Sequence, residues 1–241
     1  HFRSHRVARL SADKRPVAIY GANGSGKTNI LEAISLFSPG RGLRRASAED
    51  MMRRPENLGW KIGGILSAGS TEHELEITSN NGASRQVKVD GKPKAQTALG
   101  QLVRVLWLVP AMDRLWIEGA EGRRRFLDRI TLSFFPDHAD NSLKYEKAMR
   151  ERNRLLKDQV TDPHWYAALE GHMAEAGVAI ISARRTALDK IRAAQLGAKT
   201  AFPTADLSIA ETEKDLGEDV DAYCAALQDN RARDMAAGRS L

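Results

Sequence analysis

The chain has 241 residues, of which 42% are hydrophobic and 28% charged, the make-up of a soluble globular protein with one large domain or two small ones. It has no run of eighteen apolar residues, no signal-peptide pattern and one cysteine, Cys224. These exclude a membrane span and an intramolecular disulfide and fit a cytoplasmic protein. The net charge is +6. Residues 1–60 hold eleven Lys/Arg and five Asp/Glu, while the remaining 181 residues hold 26 of each sign, so the whole surplus lies at the amino end. That placement suits a protein that handles polyphosphate, with nucleic acid nearby.

Taken in order, residues 6–10 and 17–20 read as strands around a polar turn at 11–15. Gly21-Ala-Asn-Gly-Ser-Gly-Lys-Thr28 follows, with the spacing of the phosphate-binding P-loop. A helical pattern then runs from Asn29 to about Phe37 and stops at Ser38-Pro39-Gly40. A basic loop, Arg41-Gly-Leu-Arg-Arg45, leads to a short helix expected over 46–54, ahead of Pro55. From Trp60 to Asp90 the period changes to two. Strands at 60–66, 72–78 and 84–90, joined by Gly/Ser/Asn turns that include Asn81-Gly82, predict an antiparallel meander. Residues 103–109 read as a buried strand ending at Pro110. Helices are then expected over 121–135, 141–160 and from Pro163, behind the N-cap Asp162, to about Gly197. A strand at 207–209 and a last helix over 219–237 complete the reading, a mixed sheet around a P-loop followed by a helical lobe. Cys224 falls in that last helix and reads as a small core residue.

The P-loop carries the chemistry. Gly21, Gly24 and Gly26 permit backbone conformations that a Cβ obstructs and let main-chain N–H groups of Ala22, Asn23 and Ser25 approach phosphate oxygens. The helix that begins near Lys27 turns its free N–H groups and positive dipole end toward the anion. Lys27 is a point charge for the β- and γ-phosphates, and Thr28 offers a hydroxyl to Mg²⁺. The expected cofactors are therefore ATP and Mg²⁺.

The longer run Gly21-Ala-Asn-Gly-Ser-Gly-Lys-Thr-Asn-Ile-Leu-Glu-Ala-Ile34, with Phe2-Arg3-Ser4-His5 upstream, resembles the ABC-type heads of the SMC and RecF-like group of chromosome-maintenance and repair ATPases. Gly40-Arg-Gly-Leu-Arg44, Trp107-Leu-Val-Pro110 through Leu115, Glu118-Gly119, Arg123-Arg-Arg-Phe-Leu-Asp128, Tyr145 and Arg152-Asn-Arg-Leu-Leu-Lys157 are similar to the RecF family in particular. The resemblance runs over residues 1–158 and is weaker beyond. It implies an α/β P-loop NTPase of ABC-head type with an antiparallel meander and an inserted helical lobe. The expected division is an ATPase subdomain at 1–110, a helical lobe at 111–203, and a return toward the ATPase core at 204–241. It further implies an ATP-dependent homodimer in bacterial recombinational repair and replication that binds single-stranded or gapped DNA and works with recombination mediator proteins.

ABC-type hydrolysis also needs an acidic Walker B strand and a Leu-Ser-x-Gly-Gln-like signature loop. Neither is found. Ala98-Leu-Gly-Gln101 lies too early, and Phe126-Leu-Asp128 follows arginines instead of a buried strand. With its start at His1 and its end at Gly238-Arg-Ser-Leu241, the chain reads as a fragment expected to bind nucleotide without hydrolysing it.

The resemblance extends the nucleotide contacts to Asn29 and Arg3 and marks Arg44 as a nucleotide- or DNA-sensing residue. Asp113 falls where such heads carry a loop residue near Mg²⁺, without the usual glutamine. Arg123 and Arg124 are further candidates for phosphate contact. So are Arg150 and Arg154, on a helix where Lys144, Lys147, Arg150, Arg152, Arg154 and Lys157 outnumber Glu146 and Glu151. Trp107, Trp116 and Trp165 read as packing residues. A P-loop small-molecule kinase and a non-hydrolysing nucleotide-binding interaction module are the alternatives, and the meander argues against the kinase.

Overall fold

The period-two stretch folds as an antiparallel meander of four strands in sequence order: β1 (Trp60–Ala68), β2 (Thr71–Ser79), β3 (Gln86–Val89) and β4 (Lys92–Lys94). The register sets Ile62 opposite Ile77 and Leu75 opposite Val89. Trp60, Ile62, Leu75, Ile77, Val87 and Val89 consequently share one buried face. On the outer face Glu76 pairs with Lys61 and, at 3.7 Å, with Lys88. Asp90 and Gly91 both adopt positive φ, 51° and 73°, the geometry of a two-residue hairpin turn between β3 and β4.

The computed structural model describes residues 1–68, 70–210 and 219–240. It divides into two units, His1–Met112 and Asp113–Leu241. In the first, α1 (Lys27–Ser35) reaches the core on the meander's buried face through Ala33 near its carboxyl end. Leu36 and Phe37 just past its end pack there, and Phe2 meets Trp60 edge to face at 5.4 Å. A short helix, α2 (Leu99–Leu102), closes one edge of this core with Leu99.

Several sequence expectations fail here. Residues 6–10, 17–20 and 103–109 are irregular, and so are 207–209. Among the described residues none of these segments has a hydrogen-bonded neighbour strand. A strand needs a ladder partner as well as an apolar pattern. Val7, Leu10, Val17, Tyr20, Leu106 and Leu108 are correspondingly exposed, Tyr20 at 92%. The helix expected over 46–54 is a series of turns in which Met52 bridges to Phe2.

The second unit is helical: α3 (Ala120–Phe134), α4 (His138–Lys157), α5 (Pro163–Leu196), α6 (Val220–Asp229) and α7 (Arg231–Ala237). Asp162 caps α5 by accepting from the His164 N–H at 2.9 Å, with Pro163 at the first helical position. The single helix expected over 219–237 is broken at Asn230, which ends α6 and begins α7. Residues 211–218, part of the expected return segment, lie outside the described residues. Asp128 on α3 accepts from Arg184 on α5 and from His138 at the start of α4, at 2.7–2.9 Å.

Among the described residues Arg152 is the largest fully buried side chain. It donates to Glu170 on α5, to Asp234 and Ser240, and to the Leu227 carbonyl on α6, while Arg231 also binds Glu170. Two guanidiniums and two carboxylates thus balance where α4, α5, α6 and α7 meet. Arg152→Ala leaves Glu170 and Asp234 without that partner in the interior. The expected cost is roughly 3–5 kcal/mol, read as a lower urea midpoint. A change below 1 kcal/mol would show that the network does not hold these helices together.

Candidate nucleotide-binding site

The P-loop wraps the amino end of α1. Gly21, Gly24 and Gly26 have φ of 149°, 82° and 92°, angles that a side chain disfavours. A Cβ on Gly26 would lie 2.5 Å from His5 Nε2 and 2.7 Å from Ser4 Oγ. His5 also touches the Gly26 carbonyl at 3.1 Å. Lys27 Nζ donates to the Gly21 and Ala22 carbonyls, each at 2.7 Å, which sets the ammonium over the loop. Ala22, Asn23, Ser25 and Thr28 are exposed. The first N–H groups of α1 have no partners within the helix and point outward from its positive end. Backbone donors, a lysine and a hydroxyl at one turn are the donor set that fits a triphosphate with its Mg²⁺.

Behind the loop sits a residue that sequence reasoning missed. Glu32, on α1, is fully buried. Arg3 grips it with both arms, Nε to Oε2 at 2.8 Å and NH2 to Oε1 at 2.7 Å, and donates to the Asp50 carbonyl at 2.6 Å. Arg44 donates to Glu32 at 2.9 Å and to Asn29 Oδ1 at 2.7 Å, and the Asn29 amide donates to Ser4 Oγ at 2.8 Å. Arg3 itself has φ 53°, unusual for a residue with a side chain. It occupies a tight turn closed by two bonds between Phe2 and His5. Asn29 and Glu32, three apart, face the same way. That spacing next to a P-loop was the available signal.

Arg3, Asn29 and Arg44 therefore gather beside the P-loop, with Arg3 and Arg44 turned onto Glu32. The remaining candidates lie in the second unit. Arg123 donates to the Glu118 carbonyl at 2.7 Å, Arg124 is exposed, and Arg150 donates to the Glu146 carbonyl at 3.2 Å. Arg154 lies 3.8 Å from Asp158. Arg152 is withdrawn from the basic face of α4 altogether, because its guanidinium is buried. Asp113 lies in the 3₁₀ turn Pro110–Arg114. Trp116 and Trp165, expected to pack, are 70% and 65% exposed. Cys224 is half-buried and accepts from the Gln228 amide at 3.7 Å.

Residues 1–163 match the AAA domain family. The whole chain is 41% identical over 253 residues to the DNA replication and repair protein RecF of Rhizobium rhizogenes, covering 67% of that protein. The chain belongs to the RecF family. It is 43% identical over 254 residues to RecF of Mesorhizobium japonicum, again covering 67%. The chain thus spans about two thirds of the length of these RecF relatives. The solved structure of the recombination mediator protein RecF-ATP in the RecFOR pathway shares the fold. Its TM-score is 0.80 at 23% identity, over 100% of this chain and 67% of that one. The RecF-ATPrS structure gives 0.79 at 22% identity, over 99% and 67%.

Two substitutions probe the cradle. Gly24→Ala introduces backbone strain alone, since nothing lies within 4 Å of its Cβ, whereas Gly26→Ala adds the clash with His5. Strain at positive φ costs roughly 1–2 kcal/mol in either variant and the clash adds to it only at Gly26, so Gly26→Ala should lose more affinity for an ATP analogue than Gly24→Ala in a fluorescence titration. Equal losses would remove His5 from the account. Glu32→Gln takes the charge from between two arginines and should cost roughly 2 kcal/mol or more, seen as a lower melting temperature. An unchanged melting temperature would make Glu32 a bystander.

Proposed function

We propose that this chain is the ATP-binding part of a cytoplasmic, ATP-dependent DNA-binding protein of bacterial recombinational repair and replication. The observation that carries the reading is the glycine cradle on α1. Its neighbouring arginines are held by a buried acid, in a chain of the RecF family. In this reading the loop amides from Gly21 to Lys27 bind the phosphates, Lys27 neutralises the β- and γ-oxygens, and the Thr28 hydroxyl takes a place on Mg²⁺. Asn29, Arg3 and Arg44 form the rim. The bound Mg·ATP supplies the charge that these donors answer, and the protein's own part is to hold them in place before it arrives.

The finer reading is a homodimer formed with ATP, acting on single-stranded or gapped DNA alongside recombination mediator proteins. Residues 1–110 serve as the ATPase subdomain, 111–203 as the helical lobe and 204–241 as the return segment. Arg123, Arg124, Arg150 and Arg154 are its phosphate-contacting side chains on the helical unit. The solved RecF-ATP and RecF-ATPrS structures of the RecFOR pathway support the ATP and mediator parts of this reading. The sequence-order antiparallel meander counts against a small-molecule kinase, whose sheet is mostly parallel.

Two measurements test it. Lys27→Ala should abolish binding of Mg·ATP by calorimetry while leaving the fold intact by circular dichroism, and retained affinity would defeat the assignment of the cradle. Affinity for gapped DNA should fall by orders of magnitude between 50 and 200 mM salt, as expected where several phosphates are contacted. A flat salt response would defeat the DNA reading.

A further inference from the structure

Three consecutive residues of the amino-terminal turn bind three evenly spaced positions of the P-loop helix, in opposite order. Arg3 holds Glu32 at 2.7 Å, Ser4 Oγ accepts from the Asn29 amide at 2.8 Å, and His5 Nε2 lies 3.1 Å from the Gly26 carbonyl. Gly26, Asn29 and Glu32 follow one another at intervals of three and so share one stripe of α1 and its cap. The turn lies along that stripe, with His5 at the P-loop end. Arg3 and Ser4 meet side chains of the helix, whereas His5 meets its backbone, at the residue where the helix starts.

That residue, Gly26, is the N-cap of α1, at φ 92° and ψ 10°, with no side chain of its own to cap the helix. Its carbonyl accepts from the Asn29 N–H at 2.9 Å and the Ile30 N–H at 3.2 Å, as well as from His5. A carbonyl only accepts, so the His5 ring carries a proton on Nε2, directed at Gly26. Among the described residues the one cis peptide bond is Arg54–Pro55, so the Gly26–Lys27 bond is trans. In a trans peptide the C=O and the N–H point in opposite directions. A Gly26 carbonyl turned toward His5 and the first turn of α1 therefore sends the Lys27 N–H the other way, out of the amino end of the helix. That N–H has no partner within the helix. Donors on the carbonyl also polarise the amide and strengthen the N–H at its other end.

We infer that His5 is a positioning residue for the phosphate cradle. Its Nε2–H holds the Gly26 carbonyl, and thereby aims and strengthens the Lys27 N–H as a donor to a phosphate oxygen. The inference rests on the nucleotide-binding reading above and adds to it a residue that acts through the loop.

The test is Mg·ATP affinity by calorimetry for the wild type, His5→Phe and His5→Gln, together with the Lys27 backbone amide signal in protein labelled with ¹⁵N-lysine. His5→Phe keeps a flat ring and loses the donor. It should bind about fivefold more weakly, the worth of one hydrogen bond. His5→Gln returns an N–H donor to this position and should stay within about twofold of the wild type. Mg·ATP should move the Lys27 amide proton downfield in the wild type and in His5→Gln, and by less in His5→Phe. If the wild type binds Mg·ATP and His5→Phe binds it equally, His5 only packs on Gly26, and the inference is overturned while the nucleotide reading stands. If His5→Phe and His5→Gln lose affinity alike, the ring's shape matters and its N–H does not, which overturns it too. A weaker His5→Phe whose Lys27 amide moves as in the wild type breaks the link through that peptide. Should His5→Phe not fold, His5→Ala, which adds no atoms, carries the same expectations. If the wild type binds no Mg·ATP, both readings fall together.

Discussion

One buried carboxylate organises the amino-terminal unit. Glu32 has no water around it, so its charge is tolerable only because two guanidiniums surround it. Those guanidiniums come from places far apart in the chain. Arg3 belongs to the tight turn at the amino terminus and Arg44 to the loop after α1. The single charge therefore draws the first five residues, the P-loop helix and the 40–45 loop into one arrangement. The positive φ of Arg3, costly by itself, is offset by a bidentate ion pair that is stronger than a neutral hydrogen bond. Ser4 and His5, brought along by the same turn, then reach Asn29 and Gly26. The shape of the cradle thus depends on an acid that never faces the phosphates.

The same logic appears in the helical unit with the signs reversed. There a buried arginine, Arg152, is the centre, and Glu170 and Asp234 are gathered from later in the chain. Arg231 then answers the rest of Glu170's charge and also lies over the Tyr166 ring at 4.7 Å. In both units, an ion buried on a helix specifies which distant segments must come to it. Apolar packing supplies the driving force for burial. It is non-directional, so register among the segments falls to the charges.

Local features were legible in the sequence and distant pairings were not. The meander showed itself through its period of two, and α5 through Asp162 and Pro163, because both signals lie within a few residues. The Asp90-Gly91 turn was equally local, yet the reading stopped its strand at Asp90 and so missed the β3–β4 hairpin. The strands expected at 6–10, 17–20 and 103–109 carry the right apolar pattern, but pairing depends on a neighbour the pattern does not name. The 46–54 segment reads as a helix by composition and is claimed instead by the amino-terminal turn, through Arg3 and Met51 and through Phe2 and Met52. Glu32 and Arg152 were hidden for a different reason. Charged side chains read as solvated faces by default, and only the assembled fold shows which of them are taken inside.

That distinction changes what the net charge of the chain means. A count over 1–60 treats its eleven Lys/Arg alike, although they are not equivalent in the fold. Arg3 and Arg44 are spent on Glu32, Arg15 on Asp13 and Arg53 on Glu56. The six basic residues of α4 shrink in the same way once Arg152 is buried. A long-range field still follows from the total. Direct contact with a phosphate, by contrast, requires a guanidinium or ammonium whose hydrogen bonds are not already committed to a carboxylate. By that measure Lys27, which rests on two carbonyls, remains open to an anion. The paired arginines Arg3 and Arg44 beside it serve to build the frame.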